Sequence, residues 1–176
     1  MLRMSTNARP CGSCTLCCKV LGIDALKKAG HQWCAHCKAG KGCVIYAERP
    51  GECKDFNCVY VTTKALGEHW FPARSKMIVC SDPTTNRLEI HIDDGRVNAW
   101  RSELFYSEIK QWALAAAQNN GQILVCLPDR TIVVLPHADV DLGKLEEDDR
   151  ILCLEVMTPD GPRPDVRKVK ATEVRL

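Results

Sequence analysis

Neither the dinucleotide fingerprint G-x-G-x-x-G nor the phosphate-binding G-x-x-x-x-G-K-[ST] occurs in this chain, which removes the usual glycine-rich phosphate cradles. The stretch Lys38-Ala39-Gly40-Lys41-Gly42 is glycine-rich, but it lies between cysteines and reads as a turn. No G-x-S-x-G elbow is present, so the sequence carries no hydrolase nucleophile of that kind. Aromatic residues make up only 6%, and none are interleaved with a basic stripe, which speaks against nucleic acid as a partner. The longest apolar runs, 123–127 and 131–135, are far too short to span a bilayer. The first ten residues hold no apolar core of an export signal. The expected compartment is therefore the reducing cytoplasm, where structural disulfides are rare. There are no internal repeats and no low-complexity tracts.

Cysteine is what the chain has in plenty. Nine of its twelve fall in the first third: Cys11, Cys14, Cys17, Cys18, Cys34, Cys37, Cys43, Cys53 and Cys58. The run opens as C-x-x-C-x-x-C-C and continues with a second C-x-x-C. Without an oxidising compartment, such spacing points to thiolate ligation rather than to disulfides. Thiolates are soft donors that suit zinc, copper(I) and iron–sulfur clusters. A C-x-x-C turn brings two sulfurs towards one metal, and Gly12, Gly40 and Gly42 permit the tight turns this needs. A helix over 14–18 would place Cys14, Cys17 and Cys18 on one face, with Cys11 approaching from the loop before it. Adjacent Cys17 and Cys18 project differently and are expected to serve different metals. Nine thiols exceed one tetrahedral site. Two or more zinc ions, a thiolate-bridged cluster, or an iron–sulfur cluster with one zinc all fit the count. His31 and His36 flank the second C-x-x-C and read as surface or supporting residues more than as ligands. Arg49 is a candidate donor to thiolate or cluster sulfur, and Ile45 and Tyr46 are expected to pack.

Charge agrees with metal binding. Residues 1–60 carry nine cations against four anions, and the remainder fifteen against eighteen. Nine thiolates with two divalent ions would neutralise the excess of five without any anionic partner.

The composition changes near Val59, and the region beyond it reads as α+β. A strand is predicted over 75–80. Leu88, Ile90 and Ile92 alternate with Glu89 and His91, the period of a half-buried strand. Asp93-Asp94-Gly95 reads as a turn into 97–100. A helix capped by Ser102 or Ser107 is expected to run to about Gln118, with Ile109, Trp112, Ala113 and Ala116 as its apolar stripe. Asn119-Asn120-Gly121 stops it. Segments 123–127 and 131–135 form one predicted hairpin, 151–157 and 166–170 another, with a solvated acidic loop at 146–149. Cys80, Cys126 and Cys153 sit in strand patterns and read as small buried hydrophobes, away from any metal. The expected fold is thus α+β. An irregular, cysteine-rich metal-binding lobe (8–62) precedes a small antiparallel sheet with one main helix (63–176), the two packed as one unit.

The run Cys11-Gly12-Ser13-Cys14-Thr15-Leu16-Cys17-Cys18 is followed by Cys37, Gly42-Cys43-Val44-Ile45-Tyr46, Arg49-Pro50, Cys53, Phe56 and Cys58. In this order and spacing, residues 8–62 resemble the bacterial CxxCxxCC cysteine-cluster family, described as zinc- or iron-chelating proteins. The resemblance implies eight ligands, namely Cys11, Cys14, Cys17, Cys18, Cys37, Cys43, Cys53 and Cys58, with Cys34 additional. Flagellin lysine methylases look like relatives of this cluster. The expected function is therefore a metal-binding protein with a structural or metal-handling site. A metal-dependent enzyme and a zinc-scaffolded interaction or nucleic-acid adaptor are the alternatives. The sequence names no protein partner.

Overall fold

The computed structural model describes residues 9–82, 84–159 and 161–173. Residues 11–58 form only short elements. These are helix α1 (Cys17–Val20), a two-stranded ribbon of β1 (Cys37–Lys38) and β2 (Gly42–Cys43), and helix α2 (Gly51–Asp55). Helices α3 (Val59–Thr62) and α4 (Pro72–Ser75) lead into strands β3 (Met77–Asp82) and β4 (Arg87–Ile92). Helix α5 (Glu103–Ala117) follows, then β5 (Gln122–Cys126), β6 (Thr131–Val134) and β7 (Asp139–Asp141). Strands β8 (Asp149–Thr158) and β9 (Gly161–Lys170) form a separate antiparallel ribbon.

The mixed α and β class agrees with the sequence. The purely antiparallel sheet does not. The five strands lie in the order β3-β4-β5-β6-β7, and β4 pairs with β5 in parallel. The cause lies at 94–101, where the expected run into 97–100 becomes two 3-10 turns, Asp94–Arg96 and Ala99–Arg101. With no strand there, the chain crosses over on α5 and re-enters the sheet in the same direction as β4, as a parallel pair requires. Ser102 occupies the N-cap position of α5 without a capping side-chain bond. Ser107 lies inside the helix, its hydroxyl bonded to the Leu104 carbonyl. The predicted stop holds: Asn120 takes a left-handed φ of 52°, and Gly121 N–H donates to the Ala116 carbonyl at 2.8 Å. A side chain at Gly121 would sit 3.0 Å from the Asn86 carbonyl, which explains the glycine.

Strand alternation sorts the sheet into two faces. Met77, Val79, Ile90, Ile92, Ile123, Val125, Ile132 and Val134 share one face and are buried with Ile109 and Ala113 of α5. Trp70 and Trp100, both fully buried, join this core with Val59 and Tyr60 of α3. The opposite face carries Ile78, against which Leu16 and Val20 pack. Lys19 Nζ lies 3.0 Å from Asp93 Oδ1, and Cys58 forms a β-bridge with Cys80. Residues 11–58 thus lie against the back of the sheet.

Trp70 takes its polar partner from α5. Its indole N–H donates to Glu108 Oε2 at 2.6 Å, and His69 Nε2 lies 2.8 Å from Glu108 Oε1. Replacing Glu108 with Ala leaves that buried N–H without an acceptor, which costs about 1–3 kcal/mol. Urea denaturation of E108A measures this loss, with E108Q expected to recover part of it.

Candidate metal centre

The first C-x-x-C is a closed turn in which Cys14 N–H donates to the Cys11 carbonyl at 3.0 Å. Gly12 provides the left-handed φ of 57° that the turn needs. Helix α1 begins only at Cys17, so Cys14 approaches from the loop and not from the helical face expected for it. Leu16, at the N-cap, already has helical φ and ψ and accepts from Val20 N–H at 2.9 Å. The N–H groups of Leu16 and Ala73 point at the Cys14 thiol.

The second C-x-x-C repeats the turn, with Cys37 N–H donating to the Cys34 carbonyl at 3.0 Å. Cys34 N–H in turn donates to the Cys18 carbonyl at 2.9 Å, which fixes this turn to α1. Cys37 faces Cys43 across the β1–β2 ribbon. The ribbon reverses through Gly40 and Gly42, both at positive φ. Thr15 Oγ1 accepts from Gly40 N–H at 3.0 Å, binding the ribbon to the first motif. From the other side, the Glu52 carboxylate accepts from Asp24 and Ala25 N–H, which seats α2 and its Cys53. Cys58 stands at the N-cap of α3, where the N–H groups of Tyr60 and Val61 point at its sulfur.

These segments enclose a cavity of about 820 Å³ lined by Cys11, Cys14, Cys17, Cys18, Cys34, Cys43, Cys53 and Cys58. Cys37 is not among the lining residues, and its thiol has Cys18 and Thr15 as neighbours. The thiols are charge neighbours of one another, and Cys14 has both Cys11 and Cys18 beside it. Cys58 feels Cys11 and Cys14, whereas Cys53 feels Cys18, Cys34 and Cys43. Cys17 neighbours Cys18. Thiol pKa values rise accordingly. Cys18 is raised first by its bond to Cys17 and then by burial. Burial, with Cys18 beside it, pushes Cys37 up to about 11. Burial also raises Cys14, Cys53 and Cys58. A positive centre among them would reverse those shifts.

The sulfurs surround a space and do not close on a point. Among the described residues, no three of these nine thiols bring their sulfurs within 4.8 Å of one another. A tetrahedral zinc at about 2.3 Å from each sulfur needs neighbouring sulfurs roughly 3.8 Å apart. The donor chemistry thus fits a soft metal.

Two cations serve the thiols. Lys28 Nζ is bound by the carbonyls of Lys19, Leu21 and Ala29. Burial lowers its pKa, and Cys34, Cys18, Cys17 and Cys53 oppose that shift. Its role was not legible in the sequence, where it is one lysine in a basic stretch. Arg49 stacks on Tyr46 at 3.9 Å, has Cys53 and Cys11 as charge neighbours, and keeps a buried Nε that no described acceptor satisfies. Tyr46 itself is 62% exposed; it carries the arginine instead of packing. Ile45 lines the cavity. His31 turns away from the thiols, its charge neighbours being Asp94, Asp93, His91 and Lys19. His36 is half-buried, and its carbonyl accepts from Val44 N–H.

No family model, curated protein or solved structure matches the chain.

The three later cysteines depart from expectation in two ways. Cys153 is exposed on β8, because the β8–β9 ribbon leaves most of its residues in solvent. Cys80 is half-buried in β3 but is bridged to Cys58, so it borders the early cysteines instead of lying apart from them. Cys126 is half-buried in β5. Its thiol is raised by burial, with Glu89 and Cys80 as further causes.

Proposed function

We propose that the protein binds a soft-metal group, zinc ions or an iron–sulfur cluster, through Cys11, Cys14, Cys17, Cys18, Cys34, Cys37, Cys43, Cys53 and Cys58, in the reducing cytoplasm. The observation that carries this reading is the convergence of eight of these thiols around one cavity, with Cys37 next to Cys18 and with Lys28 and Arg49 near them. When bound, an iron–sulfur group would supply electron transfer, and zinc would supply rigidity. The protein's own residues hold the thiols in place through backbone bonds, direct Tyr60, Val61, Leu16 and Ala73 N–H groups at sulfur, and offset thiolate charge with Lys28. The role is structural or metal-handling, and the resemblance to the CxxCxxCC family points the same way.

One observation favours metal-dependent catalysis as a second reading. A cavity of about 820 Å³ lies within the roughly 300–1,000 Å³ of small-molecule sites, and its walls include the apolar Leu21, Phe56, Phe71 and Ile78. Absorption spectra and elemental analysis of protein purified without oxygen test both metal classes. Brown protein with iron and sulfide identifies a cluster, and colourless protein with zinc identifies ions. Cys18→Ser is expected to remove at least half of the bound metal, because Cys18 touches Cys17 and Cys37. Metal-free protein with nine reactive thiols refutes the reading.

A further inference from the structure

The second face of the sheet carries a group of donors outside the early cysteines. Cys80 in β3 and Glu89 in β4 are direct cross-strand partners, and such partners hold their Cβ atoms about 4.5–5.5 Å apart. His91 is two residues further along β4, so its side chain emerges on the same face as Glu89. Helix α5 and its core occupy the other face, which leaves these three side chains on the side where Leu16 and Val20 cover Ile78. Their donor atoms all lie within 4.8 Å of one another. Glu89 Oε2 and His91 Nε2 are 3.1 Å apart. The Cys80 thiol makes a 3.7 Å contact with the Glu89 carbonyl. Glu89 and His91 keep 31% and 24% of their side-chain surface in solvent, so an ion can reach them. Cys126 of β5 sits opposite His91 on the same face.

We propose that Cys80, Glu89 and His91 form a second metal site, for one divalent ion of the zinc class, with three protein donors and a fourth position left to water. One thiolate, one imidazole and one carboxylate make a borderline donor set, which suits zinc over magnesium or calcium. Three protein ligands are the pattern of open zinc sites, whereas structural sites close with four. Ligand distances of about 2.0–2.3 Å require the donors to draw together by on the order of 1 Å, within reach of side-chain rotation. The Cys80 thiol releases its proton as the metal–sulfur bond forms. The Glu89–His91 hydrogen bond gives way to two metal bonds, the Nε2 proton passing to solvent while the neutral imidazole keeps its proton on Nδ1. The site uses none of the nine early thiols, although Cys80 is bridged to Cys58.

The test uses the full chain, purified without oxygen and titrated with cadmium-113, a spin-active stand-in for zinc. A resonance from one sulfur with nitrogen and oxygen donors lies well upfield of all-sulfur resonances. The expected result is one such upfield signal, absent in both Cys80→Ser and His91→Gln and retained in Cys153→Ser, with about one cadmium per chain lost in the first two. All-sulfur signals, or the native cluster spectrum, unchanged in every variant report that the chain is folded. No upfield signal at saturation, or one that persists in both variants, overturns the site and leaves a plain Glu89–His91 hydrogen bond. Loss of the all-sulfur signals alone would count against the early thiols and not against this site.

Discussion

Removing metal from protein purified without oxygen is expected to abolish amide-exchange protection across residues 11–56, while β4, β5, β6 and α5 retain theirs. The two regions differ in what holds them. The longest helix before residue 59 is the five-residue α2, and the apolar cluster there is limited to Leu16, Val20 and Ile78 with a few half-buried neighbours. So little buried surface does not offset the chain entropy of some fifty residues, at about 1–2 kcal/mol each. Metal-binding free energy, on the order of 10 kcal/mol or more for a structural zinc, is the term that closes the gap. Beyond residue 58, a core has Trp70, Trp100, Met77, Ile90 and Ile109 fully buried, and among the early cysteines only Cys58 packs against it. Ile78 is one point of contact between the regions, with the Lys19–Asp93 pair and the Cys58–Cys80 bridge. Hydrogen exchange read by mass spectrometry, with and without chelator, gives this pattern directly. Equal loss throughout would mean that the sheet too depends on the metal. No loss anywhere would mean that the thiol region folds without it.

Trp70→Ala is expected to be the most damaging single substitution in the sheet region. The side chain is fully buried. Its ring centroid lies 4.7 Å from Phe105 and 4.8 Å from Trp112, and its N–H is bonded to Glu108. Removing it leaves a cavity between α5 and the α4 approach, at a cost of about 3–5 kcal/mol, and strands the Glu108 carboxylate. A natural domain has only about 5–15 kcal/mol in total, so W70A should unfold at much lower denaturant or fail to accumulate. Trp70→Phe, which keeps most of the volume, is expected to lose considerably less. A change below about 1 kcal/mol in W70A would show that the core is arranged differently.

The strands β3, β4, β5 and β6 were legible because their alternation and turn residues are local. Their pairing was not: a parallel neighbour is set by α5 crossing between β4 and β5, and no residue in either strand marks it. The gathering of thiols was legible from spacing, and so were the two C-x-x-C turns with Gly12 between Cys11 and Cys14. Which thiols neighbour which was not, since Cys34 meets Cys18 through a backbone bond and Cys37 meets Cys43 through the ribbon. Lys28 was invisible because its function lies in three carbonyls brought together by the fold. Cys80, Glu89 and His91 were read one strand at a time. The polar alternation of Glu89 and His91 was the available signal, but it acquires meaning only when the register sets Cys80 opposite Glu89.

X-ray absorption at the metal edge of protein purified without oxygen tests the central claim most directly. Stoichiometric metal is expected, its nearest shell predominantly sulfur, at about 2.3 Å if the metal is zinc. Protein without stoichiometric metal, or metal held only by oxygen and nitrogen, would contradict it.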